Sequence, residues 1–395
     1  MRRRTAALLP LVVLGALLSG PARAGAVPVW RVAWAAASNT QAVASPWLAH
    51  LVVDGVPTLP EVRYRLVVRP TAGGTAVRLR LTNAGSQALV IGAATVGVRR
   101  SGAQATGLRG LTFAGRRAVT VAAGHEVRTD PLPMRVRAFQ DLAVSLYVPT
   151  STVPTWHAQS YVTQYVTAAG AGDRTGTADG SAFTSQQEPI PWLDAVEVLT
   201  TTRRAVVALG DSITDGDQAF SVDDRLMNLH APYPDVLARR TAGLASVVNE
   251  GINGDTAAGV LARLDHDVLD LAGVTDVVLE IGTNDLTRLG TAQSVIASIT
   301  LITRTLHARG LRVAAATLVP RGALGNAAAI DAVNRFLRTS RLFDDGVLDI
   351  HKVVSRRDTD AWQPAYNSGD SVHPTVSGYA AIARSFDLAF LRRNS

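Results

Sequence analysis

The sequence predicts an α/β fold, a parallel sheet layered between helices, preceded by a β-sandwich-like domain. Two observations carry this. Between residue 30 and about residue 198, short alternating runs are punctuated by Gly, Pro, Asn and Asp, with no amphipathic helix among them. From Arg204 onward the grammar changes, and continuously apolar runs alternate with helical segments.

At the start of the chain, Arg2, Arg3 and Arg4 precede an apolar run over residues 6–18 and the small-residue sequence Ala22-Arg23-Ala24. This reads as a secretory signal peptide cleaved after Ala24, giving an exported protein. About 13 apolar residues fall short of the ~20 that a spanning helix needs, so no stable membrane anchor is expected. The segment holds four arginines and no acid, so the formal charge falls from +7 to +3 on the mature chain. Lys352 is the only lysine, and no basic cluster with interleaved aromatics marks a nucleic-acid surface. The absence of cysteine excludes disulfides, thiolate catalysis and cysteine-bound metals.

Residues 25–199 form the predicted β-rich domain. Val62-Arg63-Tyr64-Arg65-Leu66 and Val77-Arg78-Leu79-Arg80-Leu81 alternate with period two, which predicts half-buried strands with arginines on the second face. Further strands are expected at residues 89–98, 118–121, 142–148, 161–166 and 195–199. The Gly-rich stretch 168–181 reads as a linker or a surface loop.

Residues 200–395 form the predicted catalytic domain. Strand and helix pairs are expected at 205–209 with 233–241, 246–249 with 256–264, 274–281 with 292–309, and 312–318 with 327–339. In a parallel sheet, ligands bind beyond the carboxyl ends of the strands. Four segments at such places bear on chemistry. The first, Gly210-Asp211-Ser212-Ile213, puts a serine where a buried strand turns, although most such serines are caps. The second, Gly251-Ile252-Asn253-Gly254-Asp255, could offer the Gly254 N–H to an anion, or be an ordinary turn before a helix. The third, Gly282-Thr283-Asn284-Asp285, offers an amide donor at Asn284, or an Asx-turn. The fourth, Asp370-Ser371-Val372-His373, has a spacing that lets a carboxylate orient an imidazole. Two ligands without a third nearby argue against a metal there.

Together, in this order, the segments resemble the GDSL/SGNH hydrolase family, whose four blocks supply a serine, a glycine, an asparagine and a histidine. Here these fall at Ser212, Gly254, Asn284 and His373, and the likeness runs from Val206 to about Phe390. Trp34-Ala35-Ala36-Ala37, His307-Ala308-Arg309-Gly310-Leu311 and Ser368-Gly369-Asp370 resemble an exported bacterial subgroup with an N-terminal β-domain. At Thr283 many relatives carry another residue.

The resemblance implies an SGNH-type three-layer α/β/α domain acting as a serine esterase. Ser212 would be the nucleophile, His373 the base and Asp370 its orienting acid. Ser212, Gly254 and Asn284 would form the oxyanion hole. No metal or organic cofactor is required. The implied substrate is a short acyl ester, particularly acetyl on a polysaccharide; lipid esters are the main competitor. Acyl transfer to a sugar hydroxyl would use the same residues, and a binding-only protein would not need to keep them together. Among the remaining polar residues, Asp215, Asp217, Asp223 and Asp224 read as a solvated acidic loop in preference to a cation site, His157 as a packing residue or a visitor to the site, and Asp349 with His351 as an alternative acid–base pair.

Overall fold

A computed structural model describes residues 26–38, 52–53, 56–57, 61–150, 152, 154–218, 227–288, 290–322, 326–344, 346–357 and 359–392. The expected leader, Asp223 and Asp224 lie outside the described residues.

Two large antiparallel sheets, with smaller two-stranded ones beside them, dominate the described residues of the first half. In one, Leu193–Thr200 lies between Val29–Ala35 and Gly74–Asn83, and the last of these also pairs with His125–Arg128 and Leu132–Val136. The other runs in the order Ser185–Gln187, Gln164–Val166, Val62–Val68, Leu142–Val148, Ala93–Arg99, Ala105–Leu111. The alternate apolar positions face each other in a shared core: Leu66, Val96, Val144 and Leu146 from one sheet meet Val77, Leu79, Leu81 and Val196 from the other. Burying each such side chain contributes roughly 1.5–3 kcal/mol. Tyr64 meets Trp192 edge-on, with ring centroids 5.6 Å apart.

The second face of these strands differs from the expectation. Arg63, Arg65 and Arg80 are fully buried rather than solvated. The Arg65 guanidinium donates to Ser145 Oγ (3.0 Å) and to the Ala103 carbonyl (2.7 Å), and lies 4.2 Å from the centre of the Phe183 ring. Thr175, within the stretch read as a linker or surface loop, accepts from Arg65 and from Thr95 Oγ. That stretch therefore covers the sheet at Arg65, giving its guanidinium a carbonyl acceptor in place of water. The strand expected at 161–166 is cut to Gln164–Val166, because Tyr161 takes a φ of 53°. The run 89–98 divides at Gly92 into Leu89–Ile91 and Ala93–Arg99.

The second half is a five-stranded parallel sheet in the order Ala245–Gly251, Arg204–Gly210, Asp276–Glu280, Arg312–Ala316, Val347–Leu348. Both faces are apolar because both are covered. Val207, Leu209 and Val277 pack towards Val260, Val295 and Ile299, whereas Val206, Ala208 and Val278 pack towards Leu237, Tyr379 and Ile382. The helices concerned are Ala257–Leu264 and Ala292–Ala308 on one side, Tyr233–Arg240 and Val376–Ser385 on the other.

The halves are joined through core as well as chain. Val32, Ala35 and Ala195 of the first sheet belong to the same apolar cluster as Val207, Leu209 and Val248. Thr71 Oγ donates to the Val247 carbonyl and accepts from its N–H (2.9 and 3.0 Å).

Candidate active site

The first strand of the sheet, Arg204–Gly210, is flanked by the second and third, so Gly210 pairs with both Gly251 and Glu280. This is the point where strand order reverses, and three loops open from adjacent strand ends. They carry Ser212, Gly254 and Asn284.

Asp211 caps the short helix Ser212–Asp215 by accepting from the Ile213 N–H at 3.0 Å. That turn nests against the second strand because residue 251 is glycine: a Cβ there would lie 2.1 Å from the Asp215 nitrogen. Gly254 has a φ of 73°, a left-handed conformation that a side chain would strain. Asn284 Nδ2 donates to the Asp255 carbonyl at 2.9 Å, tying the third loop to the second. Arg263 binds all the surrounding pieces, donating to Asp255 (2.8 Å), to Asp267 (2.6 Å) and to the Gly210 carbonyl (3.0 Å).

The fourth segment closes over these ends. Asp370 Oδ1 accepts from the N–H groups of Val372 (2.8 Å) and His373 (2.9 Å), and its Oδ2 accepts from His373 Nδ1 at 2.5 Å. The other ring nitrogen, Nε2, accepts from Ser212 Oγ at 2.9 Å. Trp362 Nε1 donates to the carbonyls of Pro320 and Ser371, pinning the segment from outside. Burial alone would raise the Asp370 pKa, but hydrogen bonds from the His373 ring and backbone hold it well below the usual carboxylate range. For His373, burial opposes the charged ring, yet the hydrogen bond to Asp370 and the nearby charge of Asp217 prevail and raise its pKa.

The carboxyls of Asp211 and Glu280 meet under the turn that carries Ser212 with no exposure to solvent, and burial pushes both upward. One proton shared between them spares the cost of two adjacent buried charges.

Hydrogen bonds thus join Ser212, His373 and Asp370, and Asn284 is tied to the loop of Gly254 at the neighbouring strand end, but the residues around them are read differently. Asp215 is buried and pairs with His157 of the first domain, Nε2 to Oδ1 3.2 Å, so it is not part of a solvated loop. Asp217 Oδ2 stands 3.7 Å from His373 Nε2. Asp349 is spent as the cap of the helix Ile350–Val354 and as the partner of Arg338. Sequence reading missed Arg263, whose only local signal is its spacing of four from Asp267. It also missed the Asp211–Glu280 pair, since residues 69 positions apart share no pattern.

Asp194, His266 and Asp267 bring donor atoms within 4.8 Å of one another at the domain junction, a spacing that could suit a cation. Positive charge is already there. Arg80 faces Asp194 at 3.2 Å, Arg263 holds Asp267, and the His266 nitrogens are engaged by Asp267 (2.6 Å) and Thr82 (3.2 Å).

Residues 208–381 match the family described as GDSL-like Lipase/Acylhydrolase. No curated protein matches the chain. Similar solved structures include a GDSL-like lipase from Bacteroides thetaiotaomicron, 22% identical over 49% of this chain and 90% of that one, with a TM-score of 0.39. A carbohydrate acetylesterase family member from Sinorhizobium meliloti is 21% identical over 48% and 100%, with a TM-score of 0.38. A lipase/acylhydrolase from Enterococcus faecalis is 22% identical over 46% and 94%, with a TM-score of 0.35.

Proposed function

Residues 208–381 are a domain of the GDSL-like lipase/acylhydrolase family, which hydrolyses esters, and on that premise we propose an exported esterase that removes short acyl groups through an acyl-enzyme on Ser212. One observation carries the reading: the unbroken line from Ser212 Oγ through both nitrogens of His373 to Asp370. In this mechanism His373 Nε2 takes the hydroxyl proton as Oγ attacks the ester carbonyl, and Asp370 steadies the imidazolium. The N–H groups of Ser212 and Gly254 and the Asn284 amide receive the oxyanion. Because one hydrogen of Asn284 Nδ2 is held by the Asp255 carbonyl, the second has a fixed direction. Return of the proton to the leaving alkoxide frees the alcohol, and water activated by the same imidazole then releases the acid.

The polar neighbourhood supports a short acyl group and a hydroxylated alcohol, such as an acetylated polysaccharide. Asn253 donates to Asp217 at 3.3 Å and also to Gln159, and Asp217 borders His373. A long acyl chain gains its binding from apolar wall. The basic and apolar residues 1–24 support export.

The test is a p-nitrophenyl ester series, run beside acetate release from acetylated polysaccharides. We expect acetate to turn over faster than octanoate and Ser212→Ala to be inactive. Equal rates for wild type and Ser212→Ala would remove the nucleophile assignment; activity confined to long chains would remove the short-acyl reading.

A further inference from the structure

The segment 157–161 belongs to the β-rich domain yet reaches the nucleophile turn. Both His157 ring nitrogens face acceptors: Nδ1 lies 2.8 Å from the Ala37 carbonyl, and Nε2 lies 3.0 Å from the Gln159 carbonyl and 3.2 Å from Asp215 Oδ1. A neutral ring would set a lone pair against one of these acceptors, so the geometry calls for an imidazolium. Its partner Asp215 is the last residue of the helix that begins at Ser212. Two positions on, the Gln159 side-chain oxygen accepts from Asn253 Nδ2, and Asn253 immediately precedes Gly254. Tyr161, next along, is buried, and its hydroxyl has no partner among the described residues. Trp34, His157, Tyr161, Asp215 and His230 line a cavity of about 80 Å³ at this junction.

We propose that the β-rich domain is a working part of the ester-cleaving site, with His157 positioning the nucleophile turn through Asp215 and Gln159 positioning the Gly254 loop through Asn253. The inference rests on the esterase reading above. Neither residue touches the reacting atoms; each holds a segment that does. Burial opposes the charge on His157, but Asp215 from the catalytic domain and the Ala37 and Gln159 carbonyls from its own prevail and raise its pKa, and the buried carboxyl of Glu188 also feels the ring.

The experiment is a double-mutant cycle on the full protein with p-nitrophenyl acetate, at a temperature well below melting. Gln159→Ala and Asn253→Ala are each expected to lower kcat roughly tenfold with KM little changed, as small misplacements of a reacting group do. The double variant should be no slower than the slower single, because both lose one contact. His157→Gln, which keeps polarity but loses the charge, should lower kcat in the same way, with circular dichroism verifying that it folds. Values of kcat within twofold of wild type in Gln159→Ala and His157→Gln, or effects of Gln159→Ala and Asn253→Ala that multiply in the double variant, would overturn the proposal. Ser212→Ala runs alongside: if it keeps wild-type activity, the assignment of Ser212 as nucleophile fails first, and if it is dead, the cycle judges the domain's role alone.

Discussion

At the scale of single residues, the base that the proposed mechanism assigns, His373, is tuned by a neighbour as well as by its partner. Asp370 orients His373, but Asp217, 3.7 Å from Nε2, adds a second negative charge that favours the imidazolium. A base must be neutral to accept a proton, so activity falls as pH drops through the raised pKa of His373. Asp217→Asn removes one of the raising charges and should move the acid limb of the kcat/KM profile to lower pH, while Ser212 keeps its hydrogen bond. A limb that stays in place would show that Asp217 exerts no field on the base. The acid–base pair itself is legible in the sequence because Asp370 and His373 sit three apart on one loop. Asp217 is not, because an aspartate after a turn looks the same whether it faces water or an imidazole.

Among elements, the decisive contact is between a strand end and a turn. The helix Ser212–Asp215 is only one turn long, and it rests directly on Gly251 with no side chain between them. Gly251→Ala inserts one methyl where a Cβ would lie 2.1 Å from backbone, so the turn must shift. Because reaction rates respond steeply to sub-ångström displacement, kcat should fall by about a hundredfold. Thermal melting read beside the kinetics checks this: a variant with unaltered kcat would show that the turn adapts freely. The pattern of apolar runs and helices marks this architecture well, since strands buried on both faces have few alternatives. The sandwich strands mislead in one respect. Alternation reports that two faces differ, not that one is wet: Arg65 is covered by a loop, Arg80 by the other domain, and Arg63 lies over the Tyr147 ring.

For the whole molecule, Val32, Ala35 and Ala195 sit in the core of the catalytic half, and Arg80 donates to the His266 carbonyl across the junction at 3.0 Å. With so much shared interior, the two halves should unfold together, giving a single calorimetric transition whose van't Hoff and calorimetric enthalpies agree. Two separated transitions would contradict this. The junction is the part of the structure least visible in sequence. Partners such as His157 and Asp215 lie 58 positions apart in segments of different grammar, and only the folded chain brings them together.

An extra domain beside a catalytic one is commonly pictured as cargo on a tether, exchangeable between catalysts. Here no cut between residues 199 and 204 would leave either piece whole, since Val32 and Ala35 of the strand Val29–Ala35 belong to an interior whose other strands begin about 170 residues later. Recombination that swapped the front half would expose that interior at birth. Variation in what the protein recognises must then arise by point substitution within one inherited unit.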